Sequence, residues 1–175
     1  GAAQLARDVA QVFGVPDAGA LLADRIIADV AATKAAIAEL APTADKAVRI
    51  VFLYLRGAAG VYYLFGEGSG ADDLINGLSA VDVAGGLGWD GMRPLTDEAI
   101  VAANPDLILV MSSGLESVGG IDGLLEAKPA IAITTAGQQR RIVDMADGQI
   151  LSFGPRAADV LDALARAIYA PQAGG

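Results

Sequence analysis

The apolar positions along the chain first follow a helical period and then gather into short continuous runs. Spacings of three and four residues predict helices over residues 2–13 and 17–40, which a Gly-Val-Pro break separates. The later apolar runs predict buried strands at residues 48–55, 61–65, 107–111, 130–134 and 141–145. Further helical patterns lie at residues 71–79, 97–103, 121–127 and 155–170. The glycine-rich segments 81–94 and 112–120 are predicted to be irregular.

Strands that alternate with helices are typical of βαβ units. The pattern therefore predicts an α/β fold with a doubly wound, mainly parallel sheet flanked by helices and preceded by one long helix. We expect two parts, residues 1–44 with the long helix and residues 45–175 with the sheet. Because ligands bind beyond the carboxyl ends of the strands in such sheets, residues 54–60 and 111–120 are the candidate ligand-binding segments.

Charge and composition exclude several classes of function. The chain carries 12 basic and 21 acidic residues, a net charge of −9, which disfavours binding to the phosphates of nucleic acids. It has no cysteine and no histidine, which excludes disulfides, Ser-His-Asp triads and histidine zinc sites. These absences favour a binding protein over an enzyme.

The end of the first predicted strand carries the most informative chemistry, Tyr54-Leu55-Arg56-Gly57. Side chains alternate along a strand, so Tyr54 and Arg56 share one face. A guanidinium beside a phenol favours the ionised phenolate, and tyrosinate is a known axial ligand of ferric haem. The alternative is a packed strand-end tyrosine beside a solvated arginine. Met111, at the end of another strand, would suit a flat apolar ligand or would simply be core.

Longer segments resemble a known family. The segment VFLYLRGAAG resembles the strand and turn that carry a Y-x-R-G motif in haem-binding solute-binding proteins of bacterial ABC haem importers. PLTDEAIVAANPDLILVMSSGLESVGGIDGLL resembles a later helix–strand–loop of the same proteins. The terminal FGPRAADVLDALARAIY is similar to their last helix. The resemblance extends over almost the whole chain.

The resemblance implies an architecture and a location. Members of that family have two α/β lobes joined by one long rigid helix, with the ligand held between the lobes. It implies that residues 1–13 end the first lobe, that 17–40 form the connecting helix and that 45–175 form the second lobe. The rest of the first lobe, missing from this chain, would then be a partner of the second lobe. We expect an extracytoplasmic protein, periplasmic or a lipoprotein on the outer face, whose signal segment is absent from this chain.

The resemblance also implies residue roles. Tyr54 matches the tyrosine that ligates haem iron, Arg56 the arginine that supports its phenolate, and Met111 a pocket methionine. Glu98 matches the glutamate that docks onto the ABC permease. The predicted ligand-binding set is completed by Gly57, Trp89 and Arg93.

Other functions remain open at this point. The chain could carry a ferric siderophore or cobalamin, with Arg56 and Arg93 pairing with acidic groups of the ligand. It could be an α/β enzyme that works without histidine or cysteine, or a non-catalytic domain that associates with itself through an exposed apolar face. If Tyr54 binds haem iron, replacing Tyr62 or Tyr63 is expected to leave the haem spectrum unchanged.

Overall fold

A computed structural model describes residues 2–147 and 156–169 of the chain. The chain begins with a helical hairpin, α1 (Ala2–Val12) and α2 (Pro16–Leu40). Proline in the first turn favours the start of α2, because its missing N–H would have no partner there. Gly19 lies so close to Ala10 of α1 that a β-carbon at this position would overlap the alanine side chain. The two helices therefore pack in close contact.

The rest of the described chain alternates strands and helices. The strands are β1 (Arg49–Arg56), β2 (Val61–Phe65), β3 (Val81–Asp82), β4 (Met92–Pro94), β5 (Leu107–Met111) and β6 (Ile142–Met145). The helices are α3 (Ala71–Gly77), α4 (Val83–Gly86), α5 (Asp97–Ala103), α6 (Ser112–Ser117), α7 (Gly120–Ala127), α8 (Pro129–Ala132), α9 (Thr135–Gln138) and α10 (Ala157–Tyr169). Short 3₁₀ turns lie at Ala44–Lys46 and Gly57–Ala59.

The strands form one sheet in the order β4-β2-β1-β5-β6, and β3 also pairs with β1. The pairings of β1 with β3, β1 with β5 and β5 with β6 are parallel. The β1–β2 and β2–β4 pairings are antiparallel. The mainly parallel sheet is confirmed, with one antiparallel hairpin at the β1–β2 turn. Gly60 ends that turn at a φ of +62°, a conformation that glycine adopts without strain.

Apolar side chains cover both faces of the sheet, as the continuous apolar run of β1 predicts. Face A is the face that carries Ile50, Phe52, Phe65, Leu107 and Leu109, and it packs against α2, α3 and α10. Face B carries Val51, Leu53, Leu64, Ile108 and Val110, and it packs against α5, α7, α8 and α9. Helices on both faces give the doubly wound arrangement that the sequence predicts.

Three details of the predicted elements are wrong. Residues 130–134 are not a strand: Pro129–Ala132 is helix α8, and Thr134 caps α9 by accepting a hydrogen bond from the amide of Gly137. Short apolar runs do not distinguish a buried strand from a buried helix by periodicity alone. The segment 112–120, predicted to be irregular, contains α6. The segment 81–94 contains β3, α4 and β4.

The helical hairpin exposes several large apolar side chains among its polar residues. Exposed side chains there include Leu5, Val12, Phe13, Leu21 and Leu40. Across residues 2–147 and 156–169, no helix has both the length and the hydropathy needed to cross a bilayer. The terminal helix is predicted over 155–170, and its described part, Ala157–Tyr169, is helical; Pro155 and Ala170 lie outside the described residues.

Candidate ligand-binding site

Tyr54 and Arg56 lie at the carboxyl end of β1, on face A. The Tyr54 side chain is half-buried, and Arg56 is exposed. The guanidinium carbon of Arg56 is 6.0 Å from the centroid of the Tyr54 ring. This is the outer limit of a cation–π contact, so the positive charge lies beside the phenol and is open to solvent.

Phe65 fixes the position of the Tyr54 ring. The two rings are nearly parallel, at 15°, with centroids 6.0 Å apart. Phe65 in turn contacts Phe52, which is directly opposite it in the β1–β2 register, with centroids 5.1 Å apart. Two buried aromatic rings, Phe65 and behind it Phe52, therefore support the Tyr54 ring. The sequence alone did not predict this support.

Gly57 joins the turn after β1 to helix α6. Its amide donates a hydrogen bond of 2.9 Å to the hydroxyl of Ser117, and that hydroxyl donates one of 2.6 Å to the carbonyl of Gly114. A β-carbon on Gly57 would overlap the carbonyl oxygen of Ser117 and lie 2.8 Å from Val118 Cγ1. The loops after β1 and β5 are thus packed backbone to backbone, and only glycine fits between them.

Gly57→Ala should destabilise the fold by about 1–3 kcal/mol, because the added methyl group must push the α6 backbone away from the β1–β2 turn. Urea denaturation measures this free energy of unfolding. Gly86→Ala is the matched control, since Gly86 lies in α4 and a β-carbon there meets no atom within 4 Å. It should leave stability unchanged or raise it by up to about 1 kcal/mol. Equal stability of the two variants would contradict the tight packing at Gly57.

Met111 shares face A with Tyr54. It ends β5, the strand beside β1, and packs half-buried against the face A core. In the parallel register Leu53 pairs with Val110, so Tyr54 and Met111 occupy the next position on their strands. Met145 of β6 is the register partner of Met111 and is buried. A phenol and a thioether therefore lie side by side at the carboxyl edge.

Two serine–aspartate pairs hold the start of α6. The Ser112 hydroxyl donates to Asp144, 2.5 Å away, and both the hydroxyl and the amide of Ser113 donate to Asp147. The hydrogen bonds from Ser113, that of the side chain first, hold the pKa of the Asp147 carboxyl below its ordinary value. These pairs join the chain after β5 to β6 and to the residues just after it, and they fix the segment that follows Met111.

The structure does not bring Trp89 and Arg93 together with Tyr54. Arg93 pairs with Leu64, which belongs to face B, and its side chain is exposed. Trp89 packs half-buried against the face B core, and its carbonyl accepts a hydrogen bond from the amide of Glu67. Both residues thus belong to the opposite side of the sheet from the phenol.

Glu98 lies in the first turn of α5 and is exposed. Thr96 caps this helix by accepting a hydrogen bond of 3.1 Å from the amide of Ala99. Ile100 of α5 packs on face B, so Glu98 is separated from Tyr54 by the sheet. Its carboxylate complements the positive end of the helix dipole and remains open to solvent.

The site at the carboxyl edge of the sheet combines three features. They are a phenol that can ionise to an anionic metal ligand, a guanidinium cation, and the apolar surface of the face A core. Within the described ranges, no group of three or more acidic side chains forms a site that could hold a metal ion. Strand alternation and the resemblance predicted Tyr54, Arg56, Gly57 and Met111 as site residues, and all four lie at this edge. Phe65 and Ser117 were not predicted, because their contacts with Tyr54 and Gly57 depend on strand pairing and loop packing.

Comparisons with solved structures identify relatives of the chain. Haem-binding protein HmuT is 41% identical, with a TM-score of 0.90 over 97% of this chain and 54% of that chain. Periplasmic haem-binding protein RhuT from Roseiflexus sp. RS-1, in its apo form, is 38% identical, with a TM-score of 0.88 over 96% of this chain and 62% of that chain. BhuT in complex with two haems is 34% identical, with a TM-score of 0.82 over 94% and 60% of the two chains.

Two further solved structures are variants of HmuT. In one a tyrosine is replaced by alanine, and in the other the arginine two positions later is replaced. The chain spans between 54% and 62% of the length of HmuT and RhuT. A search of the curated proteins found no match.

The sequence of the chain also matches a family model. The model of the periplasmic binding protein family matches residues 2–147, which include the helical hairpin and all six described strands. The chain therefore belongs to the periplasmic binding protein family.

Proposed function

We propose that this chain is the carboxyl-terminal half of a haem-binding protein that captures haem outside the cytoplasm and delivers it to an ABC importer. The proposal rests chiefly on the pairing of Tyr54 and Arg56 at the carboxyl end of β1. The replaced tyrosine and arginine of HmuT have the same separation in sequence. In this proposal residues 45–175 are the second lobe, and residues 1–44 end the first lobe and connect it to the second.

The residues at the carboxyl edge suit a ferric tetrapyrrole. The oxygen of Tyr54 would ligate the iron as phenolate, a hard anionic ligand that ferric iron prefers. Arg56 would favour that anion through its charge, and Met111 would contact the flat apolar ring. The protein performs no bond-breaking step in this role; it recognises, holds and releases the ligand.

Titration of the 175-residue chain with ferric haem tests the proposal. The expected result is saturable binding with a charge-transfer absorption band between tyrosinate and ferric iron. A ferric hydroxamate siderophore and cobalamin serve as competitors. Saturable binding of either competitor without haem binding would overturn the assignment of haem. Self-association of the domain through its apolar hairpin would instead appear as a concentration-dependent mass in light scattering, without ligand.

Glu98 is proposed to act in docking to the permease and not in ligand capture. Its exposed position at the start of α5, across the sheet from Tyr54, supports this separation. In the complete two-lobed protein, Glu98→Ala should bind haem with unchanged affinity but stimulate the ATPase of its transporter poorly. Glu126→Ala, a change at another exposed helical glutamate, is the control. Equal stimulation by Glu98→Ala and Glu126→Ala would remove the docking role.

A further inference from the structure

Two adjacent tyrosines of β2 point to opposite faces of the sheet. Tyr63 is directly opposite Tyr54 in the antiparallel register, and Tyr62 is opposite Leu55. Residues directly opposite each other share a face, so Tyr63 lies on face A with Tyr54 and Tyr62 lies on face B. Alternation along β2 places the two residues on opposite faces, and the register shows that Tyr63 is the one that shares the face of Tyr54.

The surroundings of Tyr63 leave its hydroxyl available. The side chain is half-buried against the face A core. Among residues 2–147 and 156–169, no hydrogen-bond partner contacts the hydroxyl of Tyr63 or that of Tyr54. A tyrosine hydroxyl withdrawn from solvent usually has a protein partner, as that of Tyr169 has in the carbonyl of Leu78 at 2.6 Å, whereas the hydroxyls of Tyr54 and Tyr63 are accessible and open to a ligand. Two unpartnered phenols thus stand opposite each other at the candidate site.

Tyr62 has a different environment. The ammonium of Lys128 lies 4.6 Å from the centroid of its ring, a cation–π contact. Its ring also packs half-buried against the face B core. The hydroxyl of Tyr62 likewise has no partner among the described residues, so Tyr62 differs from Tyr63 chiefly in its face of the sheet and serves as a matched control for it.

We infer that Tyr63 is a second ligand-contacting phenol, whose hydroxyl donates a hydrogen bond to the haem that Tyr54 ligates. The inference rests on the proposed function. The strong hydrogen-bond acceptors of haem are its two carboxylates. A half-buried phenol without a protein partner can donate a hydrogen bond to one of them. In this arrangement Tyr54 holds the iron and Tyr63 fixes the orientation of the ring.

The test compares Tyr63→Phe with Tyr62→Phe in the 175-residue chain. Each variant loses one oxygen and keeps its ring, so folding is preserved, and circular dichroism checks it. For Tyr63→Phe we expect the affinity for ferric haem to fall by about threefold to tenfold, the cost of one hydrogen bond. The charge-transfer band should remain, because Tyr54 is intact. Tyr62→Phe should bind haem within about twofold of the unmodified chain.

Several outcomes separate this inference from the proposed function. If Tyr63→Phe and Tyr62→Phe bind haem with equal affinity, Tyr63 makes no polar contact with the ligand and the inference is wrong, while the haem-binding function stands. If Tyr63→Phe loses the charge-transfer band, Tyr63 is itself the iron ligand and its assignment as a donor is wrong. If the unmodified chain binds no haem, the proposed function fails and this inference fails with it.

Discussion

Tyr54→Phe should abolish the charge-transfer band between tyrosinate and ferric iron when the chain is titrated with ferric haem. Phenylalanine preserves the stack on Phe65, so the change removes only the oxygen that would ligate the iron. The affinity for ferric haem should fall by roughly 10- to 100-fold or more, since loss of an outer-shell partner of a metal ligand alone typically costs that much. Absorption spectroscopy measures both effects.

The matched control is Tyr169→Phe. The hydroxyl of Tyr169 bonds to the carbonyl of Leu78 and takes no part in the candidate site. That variant should lose some folding stability, by about 0.5–1.5 kcal/mol for one hydrogen bond, and keep the haem spectrum. An unchanged spectrum in Tyr54→Phe would show that another residue ligates the iron, and the central assignment of the site would be wrong.

Phe52→Ala should destabilise the fold by about 3–5 kcal/mol, because it empties the centre of the face A core. Phe52 is 0% exposed and packs against Phe65, which supports Tyr54. Chemical denaturation measures the free energy of unfolding. The remaining folded protein should also bind haem more weakly, since the cavity loosens the support of the Tyr54 ring.

Phe13→Ala makes the same chemical change at an exposed position. Phe13 is 76% exposed at the end of the α1–α2 hairpin, so its truncation should change the free energy of unfolding by about 0.5 kcal/mol or less. A loss of similar size in both variants would mean that the aromatic stack under Tyr54 does not carry the stability assigned to it.

The amino-acid sequence determined the local features of this protein. Continuous apolar runs predicted β1, β2 and β5, and the period of apolar positions predicted α1, α2 and α5, each close to its observed bounds. Strand alternation alone placed Tyr54 and Arg56 on one face, because the side-chain period of a strand is fixed by its backbone. The wrong strand at 130–134 arose where a short apolar run carried no period to separate a strand from a helix.

Tertiary structure decided what the local pattern could not specify. The face of Tyr63 depends on its antiparallel pairing with Tyr54, and the support from Phe65 depends on the same register. The bond from Gly57 to Ser117 joins residues that are 60 positions apart. The first two contacts form when β1 and β2 pair, and the third forms when the segments after β1 and β5 come together in the assembled sheet. The sequence therefore pointed to Tyr54 as the proposed iron ligand, and the register of the paired strands determined which residues surround it.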